Sequence, residues 1–157
     1  MISEHSSSHW QTVWASLFRR KGKEGPHTDE FKMLNPLDRT RIEAKLPRLE
    51  EEELPVLASI PFASSWCLLT TRRLFIWNDD IGLNEIGVWD VVNARVDLAR
   101  LTAQGLTKEQ FGVICITTAK GNSLDIRIDP GAPCNGFLSV LMQIARRNRG
   151  ISALSTG

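Results

Sequence analysis

Asp79 and Asp80 are the closest approach to a pair of catalytic carboxylates in this sequence. Acid–base catalysis by two such groups requires that both reach the same substrate. Neighbouring residues of an extended chain point to opposite faces, so adjacent aspartates are poorly placed for that task. Asn78 precedes them, and the three residues together are a strong turn signal. We interpret both aspartates as turn residues.

Thiol and metal chemistry also have few candidates. The chain has three cysteines, Cys67, Cys115 and Cys134, and three histidines, His5, His9 and His27. An odd number of cysteines without a Cys-x-x-Cys pair argues against a disulfide framework and a zinc site. Cys134 precedes the predicted C-terminal helix, where a helix N-terminus can lower a thiol pKa, so a reactive thiol and a packed loop residue are both open. Glu50 to Glu53 offer no second metal ligand group, and we expect a solvated turn there. The sequence predicts no enzyme activity, no metal and no cofactor.

Aromatic and basic residues come together near the N-terminus. Trp10 and Trp14 begin an apolar stripe at helical spacing, and Arg19, Arg20 and Lys21 follow it. Two interpretations are open. The helix docks its stripe on the domain, or it lies on a membrane or a partner as an amphipathic helix with a basic end. The stripe is short and the basic residues lie at its end, so we favour docking.

Composition limits the remaining classes of function. A chain of 157 residues, 42% apolar and 24% charged, suits one globular domain. The net charge is +1, and the balanced charges predict no nucleic-acid partner. The first residues lack the apolar segment of a signal peptide, and no apolar run is long enough to span a membrane. We therefore expect a cytoplasmic protein, while its oligomeric state stays open.

Helices at both ends and strands between them must position these residues. One helix is predicted at the tryptophan stripe, a second is capped by Asn35, and a third runs from Asn135 to Gly150. Seven candidate strands occupy residues 56–60, 66–70, 73–77, 81–85, 89–98, 113–118 and 124–128. The fourth of them reads as a short edge strand.

The order of these elements predicts an α+β fold, because the strands follow one another and a single helix comes after them. We divide the chain into a helical N-terminal extension at residues 1–52, the domain at 53–149 and a flexible tail at 150–157. Within the domain, residues 99–110 are polar and contain a glycine, which indicates an insertion loop with room for a helical turn.

The hairpin from Trp66 to Trp77 is the strongest local pattern, with two apolar strands around a polar turn. Its segment LTTRRLFI, from Leu69 to Ile76, resembles a hairpin of the bacterial pleckstrin-homology-like (PH-like) family and its GRAM-like relatives. An alternating strand, a strand–turn–strand pair and a closing helix follow in the family's order. The resemblance covers residues 54–148. It implies a seven-stranded, strongly bent antiparallel sheet, a PH-like barrel, capped by the C-terminal helix. The one or two predicted N-terminal helices are an addition to the usual module.

The resemblance also implies a binding module. Members that bind phosphoinositides hold the head group with basic residues of the first hairpin loop, and the equivalent loop here, residues 61–65, has none. We therefore expect a non-enzymatic module that acts through protein–protein contacts, using the exposed sheet edge or the tryptophan-rich helix. A bacterial immunity-type protein and a regulatory protein are two versions of it. Peripheral binding to anionic, phosphoinositide-like lipid is the alternative. The candidate contact residues are Trp10, Trp14, Arg19, Arg20, Lys21, Arg72 and Arg73.

Overall fold

A computed structural model describes residues 6–107, 110 and 112–156, with side chains up to residue 150. Its helices are α1 (Ser7–Lys21), α2 (Pro36–Glu43), α3 (Leu98–Ala103) and α4 (Ala132–Thr156). Its strands are β1 (Thr28–Glu30), β2 (Pro55–Phe62), β3 (Ser65–Thr70), β4 (Arg73–Asn78), β5 (Gly82–Gly87), β6 (Val91–Arg95), β7 (Val113–Thr118) and β8 (Ser123–Arg127). No helix within the described residues combines the length and the apolar character needed to cross a bilayer.

The strands form two antiparallel sheets, which we call the large sheet (β1-β2-β3-β4-β5) and the small sheet (β6-β7-β8). The predicted α+β class, the antiparallel strands and the C-terminal helix are confirmed. The prediction of one seven-stranded sheet closed into a barrel is wrong. The seven predicted strands all form, but the chain leaves β5 through a 3₁₀ turn at Val88–Asp90, and β6 then pairs with β7 instead of β5.

An eighth strand joins the large sheet at its outer edge. β1 pairs with β2 through Thr28, Asp29 and Glu30, in a stretch that reads as a loop. Three residues with two carboxylates have no alternating pattern, so the sequence alone carries no strand signal there. A side-chain contact reinforces the pairing, because the buried Thr28 hydroxyl of β1 lies 2.6 Å from that of Ser59 on β2.

Both faces of the large sheet are buried at β3 and β4, which explains why these two strands are almost continuously apolar. Cys67, Leu69 and Leu74 face the main core, together with side chains of α1 and α4. Leu68 and Phe75 alternate with them and face a second cluster, which α2 and the segments around it cover. The N-terminal segment at residues 31–49 therefore forms a layer over the outer face of the sheet.

Helix α1 docks on α4, as favoured from its apolar stripe, and its Trp10, Trp14, Leu17 and Phe18 are all buried. The two helix backbones touch near Gly22 and Gly136. A Cβ atom on Gly136 would lie 2.7 Å from the Phe18 carbonyl oxygen. Real Cβ atoms essentially never come so close, so this crossing requires glycine.

Three predicted element boundaries are wrong. Helix α4 begins at Ala132 rather than Asn135 and continues to Thr156 instead of ending at Gly150. A glycine weakens a helix interior but ends a helix only where the chain turns away from it. The last predicted strand residue before the insertion, Leu98, instead begins α3 and is 59% exposed, because Asp97 caps that short helix.

Candidate functional site

Arg19, a predicted contact residue, is engaged within the fold. Its guanidinium donates to Glu30 at 2.6 Å and to Asp29 at 3.0 Å, and it lies 3.6 Å from Glu24. The hydrogen bond with Glu30 raises the pKa of Arg19. These contacts join the end of α1 to β1. Arg20 and Lys21 are exposed, and neither has an ion-pair partner among the described residues.

Arg73 is engaged more deeply. It donates to both oxygens of Glu53, at 2.7 and 3.1 Å, and its guanidinium lies 4.6 Å from the centre of the Phe75 ring. Its second carboxylate partner is Glu85, at 3.4 Å. On the turn beside it, Arg72 lies 3.2 Å from Glu50. Carboxylates of this chain thus contact Arg72 and Arg73, the two arginines of the hairpin that were candidates for binding a lipid phosphate.

Glu53 corrects the expectation of a solvated acidic turn. Its residue is only 5% exposed, and its carboxylate also accepts from the Thr70 hydroxyl at 2.5 Å and from the Glu50 backbone N–H at 2.9 Å. Burial alone favours the neutral acid, but the hydrogen bonds from Arg73, Thr70 and Glu50 outweigh it and lower the pKa of Glu53. The site is a structural anchor for the β3–β4 turn.

Trp10 and Trp14 lie inside the main core, 7% and 4% exposed. Their rings stack with centroids 5.7 Å apart, and the Arg147 guanidinium of α4 lies 4.4 Å from the centre of the Trp10 ring. Neither tryptophan offers a surface to a partner in this conformation. The predicted contact residues therefore divide into a core pair, the α1–β1 junction and the β3–β4 turn, and no described contact joins the three groups.

The residues considered for chemistry have structural surroundings. Cys134 is buried in the first turn of α4, and burial raises its thiol pKa to about 11, opposite to the activation that a helix N-terminus can supply. Asp79 accepts from the indole N–H of Trp77 at 2.8 Å, which confirms a turn role. No group of three His, Cys, Asp or Glu side chains that could hold a metal is found among the described residues.

His27 and Asp38 form the pair that most resembles part of a catalytic triad. The His27 Nδ1 lies 2.7 Å from a carboxylate oxygen of the buried Asp38. The His27 backbone N–H donates to Asp129 at 2.7 Å, and Asn35 caps α2 by accepting from the Asp38 N–H, as its sequence position predicts. Within the described part of the chain, no hydroxyl or thiol hydrogen-bonds to the imidazole. The pair joins the residue that precedes β1 to α2.

A cleft of about 470 Å³ lies between β5 and the β7–β8 hairpin. We call it the β5 cleft. Asn84, Glu85 and Gly87 line one side, and Thr118 and Lys120 line the other. Its volume falls in the range of ligand-binding clefts, and its walls combine polar and apolar surface in similar amounts.

One edge of the β5 cleft is unpaired backbone. β5 is the last strand of the large sheet, as the short-edge-strand prediction expected, and no described strand pairs with its outer side. The Val88 N–H donates to the Arg72 carbonyl at 2.9 Å, in line with the register that pairs Arg73 with Gly87. Because hydrogen-bonded and free pairs alternate in an antiparallel ladder, the backbone groups of Leu83, Glu85 and Gly87 point outward.

The opposite wall ends at Thr118, which the sequence interpretation missed. Thr118 is 8% exposed, and its hydroxyl has no hydrogen-bond partner among the residues that the structure describes. It follows Ile114 and Ile116 on the buried side of β7. A threonine at the last inward position of an apolar alternation is the signal that could have identified it.

No family model, curated protein or solved structure matches this chain. The class that the structure defines is an α+β protein of two antiparallel sheets with a C-terminal helix and an N-terminal layer. These comparisons do not identify a PH-like family, so the resemblance stays a prediction from the sequence of the β3–β4 hairpin and the order of the elements.

Proposed function

We propose that this chain is a non-enzymatic, PH-like binding module that acts through protein–protein contacts, and that an extended segment of the partner pairs with the outer edge of β5. The observation that carries the proposal is the open edge itself. Three residues, Leu83, Glu85 and Gly87, direct N–H and C=O groups outward, and the β5 cleft of about 470 Å³ is lined by two of them, Glu85 and Gly87. An unpaired edge is a template for strand addition.

The charge on β5 supports a foreign partner over a second copy of this chain. In an antiparallel pair of two β5 edges centred on Glu85, the two Glu85 carboxylates would lie directly opposite each other. Like charges in that position destabilise a strand pair. Glu85 is exposed, and its contact with Arg73 at 3.4 Å leaves part of the carboxylate available to a partner.

The anionic-lipid alternative has lost most of its expected contacts. Arg19, Arg72 and Arg73 all have carboxylate partners within the chain. Arg20 and Lys21 are the candidates that keep exposed charges, at the end of α1. Two exposed cations contribute only about 2 kcal/mol at an anionic membrane surface, which is too weak for stable attachment.

Selection from a display library of random linear peptides, with the full chain as bait, tests the proposal. Glu85→Pro is the decisive variant, since proline removes an outward N–H without removing a bond to β4. Glu85→Gln is its matched control, because it removes the charge and keeps the N–H. We expect enriched peptides to lose roughly tenfold or more in affinity for Glu85→Pro and to retain most of their affinity for Glu85→Gln.

Two outcomes would overturn strand addition at β5. One is the absence of any enriched peptide, and the other is binding that the proline leaves intact while circular dichroism shows a folded variant. Sedimentation with phosphatidylserine vesicles tests the lipid alternative. Salt-sensitive pelleting that is lost in the double variant Arg20→Ala, Lys21→Ala would favour the membrane over the protein partner.

A further inference from the structure

The β5 cleft has an open end and a closed end. At the closed end the Ala119 N–H donates to the Asp90 carbonyl at 2.8 Å, which ties the β7–β8 turn to the segment that follows β5. Beyond Gly87 the chain enters the 3₁₀ turn at Val88–Asp90 and then the small sheet. A strand that adds to β5 must therefore end or turn aside where Gly87, Asp90 and Thr118 meet.

Thr118 stands at this closed end. Its side chain is more than nine-tenths buried and forms part of the cleft wall, and its hydroxyl has no partner within the described residues. A buried hydroxyl without a hydrogen bond is disfavoured and calls for an explanation. The hydroxyl and the methyl group occupy two of the three staggered positions about χ1, and rotation by about 120° can move the hydroxyl into the position that the methyl group leaves.

The charges at the closed end narrow the chemistry of what could reach Thr118. Asp90 and Lys120 both line the cleft, and neither has an ion-pair partner in the described part of the chain. A charged side chain entering there would meet a like charge as well as an opposite one. An uncharged group that can donate or accept a hydrogen bond avoids this conflict and satisfies the hydroxyl.

We infer that Thr118 selects a serine, threonine, asparagine or glutamine in the partner segment, at the position that reaches the closed end of the cleft. This inference rests on the proposed strand addition at β5. The outward backbone groups of β5 hold any extended segment, because backbone groups carry no sequence information. The Thr118 hydroxyl then adds preference for one side chain, since replacing that side chain by an apolar one leaves the hydroxyl buried and unpaired.

A double-mutant cycle tests the inference. The probes are a β5-dependent peptide from the display library and the same peptide with its conserved polar residue replaced by alanine. The protein variants are Thr118→Val, which keeps the shape and removes the hydroxyl, and Thr118→Ser, which keeps the hydroxyl. We expect the alanine peptide to bind about threefold to tenfold more weakly to the wild type and to Thr118→Ser. The two peptides should bind Thr118→Val within about twofold of each other.

Equal losses for the wild type and Thr118→Val would overturn the selection by Thr118 and leave strand addition at β5 intact. Enriched peptides without a shared hydroxyl or amide residue would overturn it as well. If no peptide depends on the Glu85 N–H, the proposed function fails and the inference fails with it. Melting temperatures of both variants show whether the fold is preserved, so that a lost preference can be separated from a lost structure.

Discussion

The β3–β4 hairpin and the β5 edge are neighbours in one sheet but differ in how completely they are covered. The hairpin has paired strands on both sides and packed side chains on both faces. β5 has one paired side, and along it Asn84 and Glu85 are exposed. The difference teaches that the strongest apolar pattern in this chain identifies a buried part of the fold and not a binding surface. The weakly patterned strand beside it leaves hydrogen-bonding groups available to a partner.

The largest effect expected from this contrast concerns a charge placed in the hairpin. Leu74 is fully buried in the main core, so Leu74→Asp should destabilise the fold by more than about 4 kcal/mol, because the aspartate would be an unpaired buried charge. Asn84→Asp, one strand away on β5, should change stability by about 0.5 kcal/mol or less. Urea unfolding followed by circular dichroism measures both. A folded Leu74→Asp variant of normal stability would show that the hairpin is not part of the core.

The second expected effect concerns the anchor under the hairpin turn. Glu53→Gln should cost about 3 kcal/mol at neutral pH, because it removes the buried carboxylate partner of Arg73 and leaves only the exposed Glu85 beside the guanidinium. Glu52→Gln is the control, since Glu52 is exposed and its nearest cation lies at 4.0 Å. Urea unfolding at neutral pH compares the two variants, and equal stabilities would show that the Glu53–Arg73 pair contributes nothing.

The same variant has an expected pH dependence. The pKa of Glu53 is lower in the folded protein than its ordinary value near 4.5, so ionisation stabilises the fold at any pH above that value. This contribution is lost as the pH falls below about 4.5 and through the lowered pKa. The stability gap between wild type and Glu53→Gln should therefore narrow in that range. A gap that stays constant down to the acid transition would contradict the assignment.

Local patterns predicted local structure well, and non-local pairings escaped prediction. The β3–β4 hairpin and the Asn35 cap follow from neighbouring residues, and both are present. β1 exists because the Thr28 hydroxyl meets Ser59 far along the chain. The burial of Glu53 likewise depends on Arg73, twenty positions away. The division into two sheets depends on which strand β6 meets, and no neighbouring residue encodes that choice.

The candidate site was predicted only in outline. A short edge strand was predicted at residues 81–85, and β5 is that edge. The basic and aromatic residues chosen as contacts were selected by type, and type alone does not reveal that Arg73 meets a buried carboxylate or that Trp14 is enclosed by α4. The cleft lies between β5 of the large sheet and the β7–β8 hairpin of the small sheet. The order of the strands along the chain does not show how the two sheets are placed, so the cleft could not be predicted from it.

A further prediction sharpens the assignment of outward groups on β5. Amide protons of Leu83, Glu85 and Gly87 should exchange with solvent roughly a hundredfold faster than those of Asn84 and Ile86, which bond to β4. Exchange followed by nuclear magnetic resonance measures each amide separately. Amides along β3, which is paired on both sides, serve as the protected reference. Uniform protection along β5 would mean that its edge is already covered, and no open template would then exist.

The smallest expected effect concerns the stability of the protein without a bound partner, when Thr118 in the wall of the β5 cleft is replaced. Thr118→Val removes a buried hydroxyl without a partner among the described residues and keeps the volume of the side chain. The variant should therefore be as stable as the wild type or more stable by up to about 1 kcal/mol, whereas removing a satisfied hydroxyl costs about 1 kcal/mol. Thr70→Val is the matched control. The Thr70 hydroxyl donates to Glu53, so its removal should lower the stability of the fold. If Thr118→Val and Thr70→Val lost similar stability in urea, the Thr118 hydroxyl would already be satisfied within the folded chain. The cleft would then hold no group waiting for a ligand, and the contrast between a closed hairpin and an open edge would rest on the backbone of β5 alone.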